Sequence, residues 1–267
     1  MNDRLGDSMI TISMASFKGG TAKSAVSLHL ASALSLYHKK KCLLIDFDSQ
    51  ANLTSSLGFS TDEINTIVPV LLEEKPIEDV IHTTSVEGLD LVTANTYLDG
   101  IEATSQIFND PYAHERLRHA IKKINNHYDF CIIDIPPSLN WLCRSAFYAA
   151  DYSLICAIPE PFSILAMQRL AKYHYSVNRY HKINVLGVVL SMWNKRSCLN
   201  EPLLKEIDLA FPGKTLKTKI RKDKSVPKSI FDGKPCFLTH KMSRASKDYQ
   251  ELAEDVLARL KRPIILQ

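Results

Sequence analysis

Lys18-Gly19-Gly20-Thr21-Ala22-Lys23-Ser24 decides the reading of this chain. An apolar run, Met9 to Ala15, precedes it, and a helix-like stretch, Ala25 to Leu34, follows. Strand, glycine turn and helix form the setting of a phosphate-binding loop. Gly19 and Gly20 let backbone N–H groups approach an anion with no Cβ in the way. The start of the helix, from Ser24 and Ala25 onward, offers unpaired N–H groups and a partial positive charge to the same anion. Lys23 has the position to reach β- and γ-phosphates, and the Ser24 hydroxyl to ligate Mg²⁺.

Two further apolar runs end in acids. Lys41-Cys42-Leu43-Leu44-Ile45-Asp46-Phe47-Asp48 and Tyr128-Asp129-Phe130-Cys131-Ile132-Ile133-Asp134 read as buried parallel strands. Ligands of open α/β sheets sit beyond the carboxyl ends of the strands, so Asp46, Asp48 and Asp134 are expected beside the phosphates. Pro136 and Pro137 stiffen the turn after Asp134. Strands alternating with helices predict an α/β fold, a doubly wound and mostly parallel sheet with helices on both faces, as one domain over 1–267.

The spacing Lys-Gly-Gly-x-x-Lys-Ser, with the switch-like segments after Asp46 and Asp134, resembles the ParA/MinD-type deviant Walker A ATPases. Within them the chain looks most like the ParA (Soj-like) partition proteins. The resemblance implies binding of ATP/ADP with Mg²⁺ through Lys18, Gly19, Gly20, Thr21, Ala22, Lys23, Ser24 and Ala25. It implies that Lys18 reaches the nucleotide of a second subunit, so that ATP drives a homodimer. Asp46 would assist the metal together with Ser24 and Asp134, and Asp48 would orient the attacking water. The catalytic set is then Lys18, Lys23 and Asp48.

Two residues depart from the family pattern. Ala22 replaces a usual glycine, and an alanine fits there comfortably only with negative φ. Ser49 replaces a usual proline. Further along, Glu160-Pro161-Phe162 resembles the family's dimer-face segment. Asn194 is a candidate contact to the base, with closing a turn as its equal alternative. Ile220-Arg221-Lys222-Asp223 stands at the adenine loop, with Arg221 and Asp223 flanking the base. Arg196, Lys222, Lys224 and Lys228 face outward in a basic run, fit for phosphates of double-stranded DNA without sequence preference. A ParB-like partner and segregation of a plasmid or chromosome follow from the resemblance. The alternatives are an ATP-switched binding protein with little hydrolysis, or a positioner of another cargo.

Composition agrees with this picture. The 267 residues are 45% hydrophobic and 23% charged, with a net charge of only +4. That suits a buried core and gives no global argument for nucleic acid. The polar start has no apolar centre of a signal peptide, no run approaches a membrane span, and Pro263–Gln267 is too short for a membrane-targeting helix. Six scattered cysteines without a Cys-x-x-Cys pair read as reduced thiols of a cytoplasmic protein, nucleoid-associated if the DNA reading holds. Asp62–Glu74, Pro76–His82 and Tyr112–Asn126 read as helices, and the apolar stripe of 243–262 as a helix packed on the core.

Overall fold

The computed structural model describes residues 8–16 and 18–261. The polar start, Phe17 and the tail from Arg262 onward lie outside the described residues. Eight strands form one sheet: β1 (Ile10–Ala15), β2 (Cys42–Asp46), β3 (Ile81–Thr83), β4 (Leu89–Val92), β5 (Phe130–Asp134), β6 (Tyr152–Ala157), β7 (Asn184–Trp193) and β8 (Thr215–Arg221). Their order is β3-β4-β2-β5-β1-β6-β7-β8. All neighbours pair in parallel except β3 with β4.

Both faces of the sheet are covered, which is why β2 and β5 run apolar without alternation up to their terminal aspartates. Leu44, Ile132 and Leu154 pack with Val26, Leu30 and Leu34 of the helix Lys23–His38 and with Tyr249, Leu252 and Val256 of Arg244–Leu260. Ile45, Ile133 and Ile155 point the other way, among residues of Arg116–Lys123, Trp141–Ala149, Pro161–Asn178 and Asn200–Ala210. At Gly187 in β7 an added Cβ would lie 2.7 Å from a Leu216 methyl of β8, so only glycine admits that approach. Among the described residues no helix is long and apolar enough to cross a membrane.

The central sheet and the last helix follow the sequence reading, but the stretch from 60 to 126 departs from it. The expected helix over Asp62–Glu74 is confined to Ile67–Leu71. Its start is delayed because Glu63 accepts hydrogen bonds from the Ile64 and Asn65 N–H groups, and Thr66 caps the helix through Val68 N–H. Its end is fixed by Glu73, which adopts a left-handed φ of 61°. Pro76–His82 becomes a short 3₁₀ turn, Ile77–Val80, running into the edge strand β3. Tyr112–Asn126 narrows to a 3₁₀ turn, Ala113–Glu115, and the helix Arg116–Lys123.

Candidate functional site

The sheet order places the carboxyl ends of β1, β2 and β5 side by side. Asp46 and Asp134 are register partners across β2 and β5, and Met14 of β1 pairs with Asp134. The glycine loop leaves β1 at that end and turns into the helix beginning at Lys23. The loop borders a cavity of about 1290 Å³ lined by residues 18–25, Asp48, Gln50, Pro137 and the segment 220–224, with Asp46 and Asp134 fully buried. Nothing stands within 4 Å of a Cβ built on Gly19 or Gly20, so the cradle is open toward a ligand.

The floor of the loop is a buried charge cluster. Lys23 Nζ donates to Asp134 Oδ1 at 2.8 Å, and Ser27 Oγ donates to the same oxygen at 2.8 Å. Burial alone would lower the Lys23 ammonium, but Asp134 together with Asp48 and Asp46 outweighs it and holds the lysine above its ordinary value. Asp134 Oδ2 is buried and has no hydrogen-bond partner. The sequence reading gave Asp134 a share in the metal; the structure sets Lys23 and also Ser27 on its Oδ1. Ser27 lies one turn beyond Lys23 on the same helix, a spacing that was the one available signal.

Asp46 has a different task from direct access to the cavity. Its Oδ2 accepts from Thr54 N–H at 2.8 Å and Thr54 Oγ1 at 2.7 Å, and its Oδ1 from Asp48 N–H at 3.2 Å. It therefore braces the turn after β2. Burial, with Asp134 adjacent, pushes Asp46 up to about 7. Asp48 lines the cavity, accepts from Gln50 N–H at 3.1 Å, and is also raised by burial.

The entrance of the loop is arranged otherwise. Lys18 pairs with Glu160, the residue before the helix Pro161–Asn178, and its ammonium lies 5.9 Å from the centre of the Phe162 ring. Glu160 was not among the expected site residues; 142 positions separate it from Lys18. Ala22 overturns the expectation of negative φ: it adopts φ 59° and ψ 24° as the residue capping the helix.

The far wall departs further from the sequence reading. The guanidinium of Arg221 is held by Asp248, its Nε lying 2.9 Å from Oδ2, so it borders the cavity already engaged. Asp223 accepts from Ser225 N–H at 2.9 Å and pairs with Arg244 at 3.4 Å. Asn194 is not a wall residue: its Oδ1 accepts from Arg196 N–H at 3.1 Å, closing a turn, while Ser191 and Met192 border the cavity. Arg196, Lys222, Lys224 and Lys228 are all exposed. Arg196 stands three residues after β7 and Lys222 directly after β8, and those strands pair at Trp193 and Arg221.

Mg²⁺ typically takes one or two protein oxygens, with phosphate and water completing its shell. The free Asp134 Oδ2 and the Ser24 hydroxyl in the cavity lining fit that demand. Among the described residues no group of three or more His, Cys, Asp or Glu is placed to hold a metal without such a ligand.

A parallel sheet with a glycine loop after β1, a lysine on the strand-end aspartate of β5 and an open cradle defines the class of P-loop nucleotide-binding proteins. The AAA domain family matches residues 9–186. A "ParA family protein" of Chlamydia trachomatis serovar D is 47% identical, over 93% of this chain and 98% of that one. The sporulation initiation inhibitor protein Soj of Bacillus subtilis is 30% identical, over 92% and 98%. The chain belongs to the ParA family. Among solved structures, MinD of Pyrococcus horikoshii complexed with Mg-ADP aligns with a TM-score of 0.77 and 26% identity, covering 96% of this chain and all of that one. An ATP complex of Cyanothece McdA aligns at 0.82 over 98% and 100%; at 21% identity that likeness is one of fold.

Proposed function

We propose that the protein is an ATP-dependent dimerising partition ATPase that hydrolyses ATP slowly and binds double-stranded DNA without sequence preference. The observation that carries the reading is the division of labour between two lysines of one loop. Lys23 is buried on Asp134 at the floor of the cavity, whereas Lys18 stands at its mouth on Glu160. Bound ATP would supply the reacting γ-phosphoryl group, and Mg²⁺ would supply positive charge beside it. Lys23 would exchange Asp134 for phosphate oxygens, and the Asp134 carboxylate and the Ser24 hydroxyl would hold the metal. Lys18 leaves Glu160 for the phosphates of a second subunit. Asp48 accepts a hydrogen bond from the attacking water, and Asp46 acts from behind by fixing the turn that carries Asp48. With little covalent work to do, these groups act by positioning and charge stabilisation.

Arg196, Lys222, Lys224 and Lys228 are the proposed phosphate contacts. A few such contacts bind weakly, with Kd of about 10⁻⁴–10⁻⁶ M, falling with salt. Dimerisation presents the patch twice and raises avidity. Relatives named for a virulence plasmid and for chromosome partitioning support a plasmid or chromosome as cargo, and a ParB-like protein is the proposed partner.

Sizing the protein with ADP, with ATP, and as Asp48→Ala with ATP tests the proposal. A monomer, a transient dimer and a trapped dimer are expected in that order; a monomer in all three overturns it. Ala22, an L-residue in the left-handed region of the cradle, favours a second reading: a switch that holds ATP and seldom hydrolyses it. Phosphate release with and without DNA separates the two.

A further inference from the structure

Two short helices from distant parts of the chain border the same cavity. Asn52 and Ser55 of Asn52–Ser56 line one part of its wall, and Val226, Ile230 and Phe231 of Ser225–Phe231 line another. Each helix is closed by a left-handed glycine, Gly58 at φ 80° and Gly233 at φ 67°. Gly58 N–H donates to Ser55 O at 3.0 Å, and Gly233 N–H to Ile230 O at 3.0 Å. The two closing turns meet backbone to backbone. A Cβ built on Gly233 would lie 3.2 Å from Gly58 Cα and 3.3 Å from Gly58 N, whereas one built on Gly58 would keep 3.9 Å from Gly233 Cα. Position 233 therefore needs glycine for space as well as for conformation.

Each side of this contact is tied to a different working part. Thr54 of the first helix is held by Asp46, which also accepts from Asp48 N–H, so that helix and the Asp48 turn are one braced unit. The second helix carries Lys228 and starts after Lys224, and both lysines are exposed. Its start is fixed by Asp223, which accepts from Ser225 N–H and pairs with Arg244. The glycine contact thus lies between the residue assigned to the attacking water and two residues assigned to DNA.

We propose that the Gly58–Gly233 contact is a joint within one protomer, through which the Asp48 turn and the basic helix Ser225–Phe231 shift together. Nucleotide and DNA then strengthen each other's binding in a single copy of the chain, before any dimer forms. Backbone packed on backbone has no side-chain rotamers to absorb a displacement, so a shift of one turn is passed to the other. The coupling is reciprocal: if ATP tightens DNA binding, DNA tightens ATP binding by the same factor. It is separate from avidity, which needs two copies of the patch. The inference rests on the DNA reading proposed above, and the controls below separate the two.

The test uses Lys18→Ala protein at concentrations where sizing shows monomers, so that avidity plays no part. A short labelled DNA duplex of mixed sequence is titrated by fluorescence anisotropy, with and without a non-hydrolysable ATP analogue and Mg²⁺. The analogue tightens DNA binding about fivefold or more, and adding Gly233→Ala brings that factor to about one. Adding Gly58→Ala, which imposes left-handed strain without intruding on its neighbour, keeps most of the factor. Hydrogen exchange of the chain with both glycines intact gives a second readout that no folding defect can mimic. DNA without nucleotide slows amide exchange over 48–59, a segment outside the proposed DNA contacts. A factor that survives Gly233→Ala overturns the joint. So does nucleotide that leaves DNA binding unaltered in the monomer, or DNA that leaves exchange over 48–59 unchanged. Failure of the DNA reading shows separately, as binding indifferent to Lys224→Glu with Lys228→Glu, and it removes the joint's output as well.

Discussion

The entrance and the floor of the glycine loop each hold one lysine and one carboxylate, five residues apart in sequence, yet they are different devices. At the entrance the Lys18 and Glu160 side chains are 29% and 48% exposed; at the floor Lys23 and Asp134 are 6% and 0%. An exposed pair is exchanged at little cost, because water solvates both ions when it opens. A buried pair is not, because the ion left behind has neither water nor partner. The entrance is therefore suited to a lysine that must move, and the floor to one that moves only when another cation and anion take its place.

Substitutions should reproduce that ranking. Lys23→Ala is expected to cost about 3–5 kcal/mol in apo stability, since it strands Asp134 in the core, and to abolish nucleotide binding. Thermal unfolding and a fluorescent ATP analogue read the two effects. Loss of nucleotide binding with unchanged unfolding would mean that the floor is not a buried pair.

The second effect is pH-dependent and also belongs to the floor. Asp46 titrates near 7, well above an unfolded aspartate at about 3.9. The folded state thus binds a proton that the unfolded chain has released. The stability this contributes is complete below about pH 4 and is lost as pH rises toward 7 and beyond. The loss is up to roughly 4 kcal/mol for a shift of about three units. Asp46→Asn should flatten that part of a denaturation-against-pH profile; an unaltered profile would assign the slope elsewhere.

Between floor and entrance lies Ala22. Its left-handed backbone costs about 1–2 kcal/mol for an L-residue, and glycine gives back about 0.5–1 kcal/mol through the unfolded chain. Ala22→Gly should therefore stabilise the apo protein by about 0.5–1 kcal/mol in urea titration. A destabilised variant would show that the loop is not strained there. The smallest change in stability is expected for Lys18→Ala, within about 1 kcal/mol. Its consequence should appear instead in sizing experiments, as retained ATP binding without ATP-dependent dimers.

Much of the floor was legible beforehand. A continuous apolar run that ends on an acid satisfies burial as a central parallel strand, so the sequence itself puts Asp46 and Asp134 at the sheet's carboxyl end. The stretch from 60 to 126 was not legible, because its helical patterns are short. Side chains such as Glu63 and Thr66 outcompete helix formation at their own backbone, and burial of β3 against β4 overrides the pattern over Pro76–His82. Asn194, off the cavity wall, and Arg221, on it, show the same limit: a polar side chain at the right place in sequence is available only if no neighbour has claimed it.

The order of residues alone determined the glycine cradle, the strand-end acids and the layered α/β fold, because these depend on local patterns of apolarity and on residue types that tolerate few substitutes. Tertiary structure alone decided the partners. Glu160 for Lys18, Ser27 beside Lys23 on Asp134, Thr54 for Asp46 and Asp248 for Arg221 arise where separate segments meet. Electrostatic and hydrogen-bond choices there depend on burial and distance. Those quantities exist only once the chain has closed on itself.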